Sequence, residues 1–163
     1  MRTHETVTYS QAPPGASVAA DAAGRVSGLA IVWDVPSLDR GGYRDVFARG
    51  CLQIGPDVTA LLSHDASVIL GRTTAGTLRL DDQADGVHFN LDLPDTQAGR
   101  DLLTSLKRGD VSQCSFSALI LEEDWDYNRI LQTPVRTILS AELLEISVVP
   151  MPAFPATTAQ VVE

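Results

Sequence analysis

The sequence predicts a mainly β (α+β) fold, in which short strands form a closed or nearly closed barrel with peripheral helices. Three observations lead there. GTLRLDDQADGVHFNLDL alternates apolar and polar residues on both sides of a turn, several other apolar runs of strand length end at turn residues, and one segment has helical spacing. With 163 residues, 44% of them hydrophobic, the chain has the apolar content for one core and the length of one domain.

Residues 1–22 contain Pro13, Pro14, Gly15 and the small-residue stretch ASVAADAA, which predicts a tail with at most a strand at its start. GLAIVW is a short apolar run stopped by Asp34, Pro36 and Ser37, hence a buried strand and a turn. The loop LDRGGY follows. YRDVFARGCLQI, interrupted by Gly50 and followed by Gly55-Pro56, reads as a brief helical or irregular segment, and VTALLSH as a strand leading to His64. In the hairpin, Leu78 and Leu80 pair with a strand whose Val87, Phe89, Leu91 and Leu93 take every second position. DTQAGRDLLTSLKRGD has a capping residue at Asp95 or Thr96, apolar Leu102, Leu103 and Leu106, and Gly109 as the stop. SQCSFSALIL, the short RILQ and VRTILSAELLEISVV complete the expected strands.

Twelve Lys and Arg against 21 Asp and Glu give a formal charge of -9, opposite to what a phosphate-neutralising surface needs. Nucleic acid and anionic membrane are therefore poor partners. The N-terminal MRTHETVTYSQ lacks an apolar signal core, no apolar run approaches bilayer length, and two cysteines fit a reducing compartment.

The three histidines are easily weighed. His4 lies in the expected tail, and His88 shares a strand face with Asn90 and Asp92, which reads as solvent-facing. His64 follows an apolar strand and is flanked by Ser63 and Asp65, a candidate base. In an extended SQCSFSALIL, Ser115 and Ser117 face one way and Cys114, Phe116, Ala118 and Ile120 the other, so the hydroxyls sit on a rigid element. Glu145 is a carboxylate inside the apolar run AELLEISVVP, where it either finds a partner or faces outward from an edge strand. Asp81, Asp85, Gly86 and Asp92 have partial calcium-loop spacing, but Gln83 and Asp92 replace expected ligands and the flanks are strands; a hairpin turn is preferred. Cys51 and Cys114 lack zinc-ligand spacing, and no cofactor or metal is implied.

Three ordered blocks, SHDASVILGRTTAGTLRL, LPDTQAGRDLLTSLKRGDVSQCSFS and LLEISVVPMPAFPAT, resemble the prohead (capsid maturation) proteases of tailed phages and gene-transfer particles, which group with herpesvirus assemblin-type serine proteases. The resemblance runs from about Gly28 to Thr158. It implies a herpesvirus-protease-like β-barrel surrounded by a few helices, with the catalytic histidine at His64, the serine at Ser115 and an acidic third member at Glu145. Ser63 stands where the family usually has Asn, and Ser117-Ala118 where many members have Gly and an aromatic residue.

The expected organisation is a tail over 1–22, a protease domain over 23–158 and a short tail over 159–163. The resemblance implies a serine endopeptidase that cleaves the major capsid protein, the scaffold (delta-like) region, or itself. It would act inside an immature capsid in the bacterial cytoplasm and could form a homo-oligomer. Two alternatives stand beside it: a catalytically inactive assembly or scaffold-binding module of the same fold, and a cysteine peptidase using Cys114 with His64.

Overall fold

The computed structural model describes residues 22–162, so the strand expected at the start of the chain lies outside the described residues. The first of two sheets is antiparallel. Its central pair is β1 (Ala22–Val32) against β7 (Gly86–Pro94), flanked by β6 (Leu78–Asp82) and by β10 (Gln160–Val162). The predicted hairpin is its β6–β7 pair, with Leu78 opposite Leu91 and Leu80 opposite Phe89. The alternation does what the sequence requires of it, since Val87, Phe89, Leu91 and Leu93 are all buried. β10 comes from the expected C-terminal tail. Its approach demands Gly28, where a Cβ would stand 2.0 Å from the Thr158 carbonyl oxygen.

The second sheet is organised around β9 (Thr133–Val149), a strand of 17 residues. Along one edge of β9, β2 (Arg44–Phe47), β3 (Leu52–Gln53) and β4 (Thr59–Leu62) dock in succession, all parallel to it. β5 (Asp65–Arg72) folds back on β4, and β8 (Gln113–Asn128) runs antiparallel along the other edge of β9. Arg44–Phe47 and Leu52–Gln53 are thus strands, not the helical or irregular segment expected. Weak local preference yields there to the long ladder that β9 offers. RILQ is a turn between β8 and β9, where the Asn128 side chain accepts hydrogen bonds from the backbone of Ile130 and Leu131.

The expected closed or nearly closed barrel is not seen among the described residues, where the two sheets are separate ladders packed on one core. Among the described residues both edges of β9 are used within its own sheet, and no strand pairs from one sheet to the other. Val26, Phe89 and Leu91 from one sheet meet Ile138, Ile146 and Val148 from the other in the shared cluster. The helix α1 (Gln97–Arg108) is as the sequence predicts. Thr96 caps it by accepting from the Gly99 N–H, Gly109 ends it in the left-handed conformation, and Leu102 and Leu106 are buried. No helix among the described residues is long and apolar enough to cross a membrane.

Candidate active site

β9 lies between β4 and β8 and brings three distant segments together. Ser147 of β9 stands opposite Ser115 of β8, and Glu145 opposite Ser117. The register then slips, because Ala118 pairs with Leu143 and leaves Leu144 as an extra residue. This bulge reverses the phase of β9. Ala141 and Leu143 enter the core before it, and Ile146 and Val148 after it, so Glu145 and Ser147 turn to the face that carries Ser115 and Ser117. Glu145 therefore sits on a central strand, not on the edge strand that its outward-facing alternative required.

On the other side of β9, β4 ends at Leu62, and a two-residue turn through Ser63 and His64 starts β5 with Leu62 opposite Asp65. Both turn residues have positive φ, 52° for Ser63 and 60° for His64, as a type I′ hairpin turn needs. The Ser63 N–H donates to the Val148 carbonyl and the His64 N–H to Ser147 Oγ at 3.0 Å, pinning the turn to β9.

The imidazole consequently reaches Glu145, with Nδ1 2.7 Å from Oε1. An ionised carboxylate only accepts, so Nδ1 carries the proton, and in the neutral ring Nε2 then keeps its lone pair. Two serines also donate to the carboxylate, Ser117 Oγ to Oε1 at 2.5 Å and Ser147 Oγ to Oε2 at 2.7 Å. The Glu145 side chain is only 12% exposed, against 41% for His64, and these bonds offset its desolvation.

His64 and Ser115 both line an open cleft of about 470 Å³. One wall is aromatic: Phe116 stacks on Phe154 at 5.7 Å and meets Phe47 edge-on at 4.9 Å. The far end is charged, with Arg136 Nε 2.7 Å from the buried carboxylate of Asp45 and Arg40 beside it.

The cleft also exposes backbone. Among the described residues β8 pairs only with β9, and its outer edge is closed at both ends. At Cys114 the N–H and C=O bond to Thr157 Oγ1, while at Trp125 and Tyr127 the N–H groups are taken by the side chains of Asp124 and Asp126. Strand alternation from Cys114 turns the N–H and C=O of Phe116 and Ala118 outward, next to Ser115. Among the described residues this stretch of strand edge has no partner strand, the geometry that an extended peptide can join.

The other sequence candidates lie apart from this cluster. His88 Nε2 bonds Asp85 at 2.9 Å on the first sheet. The calcium-like segment is the β6–β7 turn, and Asp92 is held by Arg25 and Arg79. Cys114 is fully buried, its thiol pushed well above the ordinary range by burial, and burial likewise pushes Cys51 up to about 11. Sequence reasoning missed Ser147 altogether and the role of Ser117 toward Glu145. The signal for Ser147 was its spacing of two from Glu145, which places both on one strand face.

A hydroxyl, an imidazole and a carboxylate gathered at one cleft make up the group set of a serine hydrolase. The model of the caudovirus prohead serine protease family matches residues 15–163, and the chain belongs to that family. No curated protein and no solved structure matches the chain.

Proposed function

We propose that this chain is a serine endopeptidase that cleaves capsid or scaffold protein within an immature phage-type particle, using Ser115, His64 and Glu145. The observation that carries the reading is the 2.7 Å contact of His64 Nδ1 with Glu145 Oε1 at a cleft that Ser115 also lines. An extended substrate segment pairs with the open edge of β8 at Phe116 and Ala118. Ser115 Oγ attacks the scissile carbonyl carbon while Nε2 of His64 takes the hydroxyl proton. Collapse of the tetrahedral adduct breaks the C–N bond, and the imidazolium returns the proton to the leaving amine. Water then attacks the acyl-enzyme with the same base, regenerating Ser115. Glu145 keeps the proton on Nδ1 and stabilises the imidazolium in both halves.

Confinement in a shell raises the effective substrate concentration to the millimolar range, so modest intrinsic activity suffices. The test is co-expression with a phage-type major capsid protein from the same genome, followed by mass spectrometry of the assembled shells and by fluorophosphonate labelling. Processed capsid protein and a label on Ser115, both absent from Ser115→Ala, are expected. Identical shells from the two chains, with Ser115 unlabelled, would favour the non-catalytic assembly module instead.

A further inference from the structure

Ser147 occupies a position that the three-residue description does not use. It is fully buried, yet its hydroxyl makes two directional bonds, accepting from the His64 backbone N–H at 3.0 Å and donating to Glu145 Oε2 at 2.7 Å. One atom thus ties the backbone of the base to the carboxylate that orients it. The tie has a purpose in this fold because His64 stands in the left-handed region, which is unfavourable for an L-residue. The direction in which that backbone projects the imidazole depends on what holds the turn. The side chain of Ser63 is exposed and makes no hydrogen bond among the described residues, so the hold comes from β9. Ser117 engages the same carboxylate but bonds to Oε1, and its hydroxyl is not the one that the His64 backbone N–H reaches.

We propose that Ser147 is a positioning residue: its buried hydroxyl bridges the His64 main chain and Glu145, and so sets the imidazole at the angle at which Nε2 serves Ser115. The inference rests on the serine-peptidase reading and adds a fourth residue to it. Removing the hydroxyl takes away the bond that holds the His64 end of the turn, leaving only that from Ser63 N–H to the Val148 carbonyl, and frees one carboxylate oxygen, while the aromatic wall and the β8 edge stay intact. The fault then falls on the chemical step and not on ligand affinity.

The test measures inactivation by a peptidyl diphenyl phosphonate, separating the maximal rate (kinact) from the half-saturation constant (KI), in wild type and in Ser147→Ala, Ser147→Cys and Ser147→Thr. Cys fills nearly the same volume with a weak donor and acceptor, so it decides the matter if the alanine chain folds poorly. The expected result is a fall in kinact of about 10- to 100-fold in the Ala and Cys chains with KI unchanged. Recovery is expected in Ser147→Thr. The low-field proton resonance of His64 Nδ1–H, identified by its loss in His64→Gln, should move or broaden in the Ala and Cys chains and return in the Thr chain. A folded Ser147→Cys with wild-type kinact and an unmoved resonance would overturn the inference alone. A wild-type chain that the phosphonate leaves unlabelled at Ser115 would overturn the peptidase reading, and the inference with it.

Discussion

His64 and Glu145 are 81 positions apart in the chain, and their side chains meet at 2.7 Å because β4 runs parallel to β9 and ends beside it. The pairing of Thr59 with Glu145 through Leu62 with Val148 fixes where β4 stops, and the tight turn that follows swings His64 back over the carboxylate. Ser115 reaches the same place from the opposite edge of β9. Three strands of one sheet therefore hold the groups, which limits their relative movement.

Replacing Ser115 by Ala should abolish cleavage and phosphonate labelling while leaving the fold intact. The hydroxyl projects from β8 toward the cleft, and the backbone pairing with Ser147 does not depend on it. A loss of at least about 10³-fold is expected. Turnover on capsid-derived peptide, with circular dichroism of both chains, makes the comparison. Retained turnover would send the assignment to Ser117.

Glu145→Gln should lower turnover by up to about 10⁴-fold, since an amide no longer imposes the Nδ1–H tautomer. His88→Ala should leave turnover near wild type, because His88 is engaged with Asp85 on the other sheet. Single-turnover cleavage by the two variants settles the order. An impaired His88→Ala beside an active Glu145→Gln would reverse the roles.

Iodoacetamide should not inactivate the native chain. The Cys114 thiol is buried and held protonated by its desolvation, and the Cys51 thiol, pushed up to about 11 for the same reason, is scarcely ionised at neutral pH. Activity and alkylated mass are followed together over time. Rapid inactivation with modification of Cys114 would restore the cysteine-peptidase alternative.

Ser63→Asn should stabilise the chain by up to about 1 kcal/mol and keep its activity, because Asn tolerates the left-handed region better than Ser. Ser63 has φ 52° and an exposed side chain, so the change meets no packing obstacle. Thermal melts of the two chains give the comparison. An equal or lower melting temperature would contradict a strained turn.

Asp92→Asn should lower stability at neutral pH by less than about 1 kcal/mol, with the deficit shrinking in acid. Hydrogen bonding to Arg79, then to Arg25, holds the Asp92 carboxyl below its ordinary value of 3.8. A depressed carboxylate contributes fully above that ordinary value and loses its contribution as pH falls through its folded-state value. Melting temperatures of both chains from ~pH 6 to ~pH 2 should therefore converge at the acid end. A gap that stays constant across this range would show that the ion pairs are not its source.

The local elements were legible where one short segment contained its own instructions. The β6–β7 hairpin is specified by strict alternation from Leu78 to Leu93, and α1 by the cap at Thr96, the leucines at helical spacing and Gly109. The candidates His64, Ser115 and Glu145 were also visible, two as polar residues embedded in apolar runs and one at the end of such a run. Tertiary structure alone decided the rest. β2 and β3 exist because β9 supplies a partner edge, which no local propensity encodes. The separation of the two sheets among the described residues depends on how ladder edges are allotted among strands far apart in sequence. The place of Glu145 turns on a bulge at Leu144, one extra residue that exchanges core and cleft faces and is visible only against the register of β8. Ser147 became meaningful only when the turn at His64 was laid beside it, because a hydrogen bond between positions 83 residues apart depends on folding and not on sequence pattern.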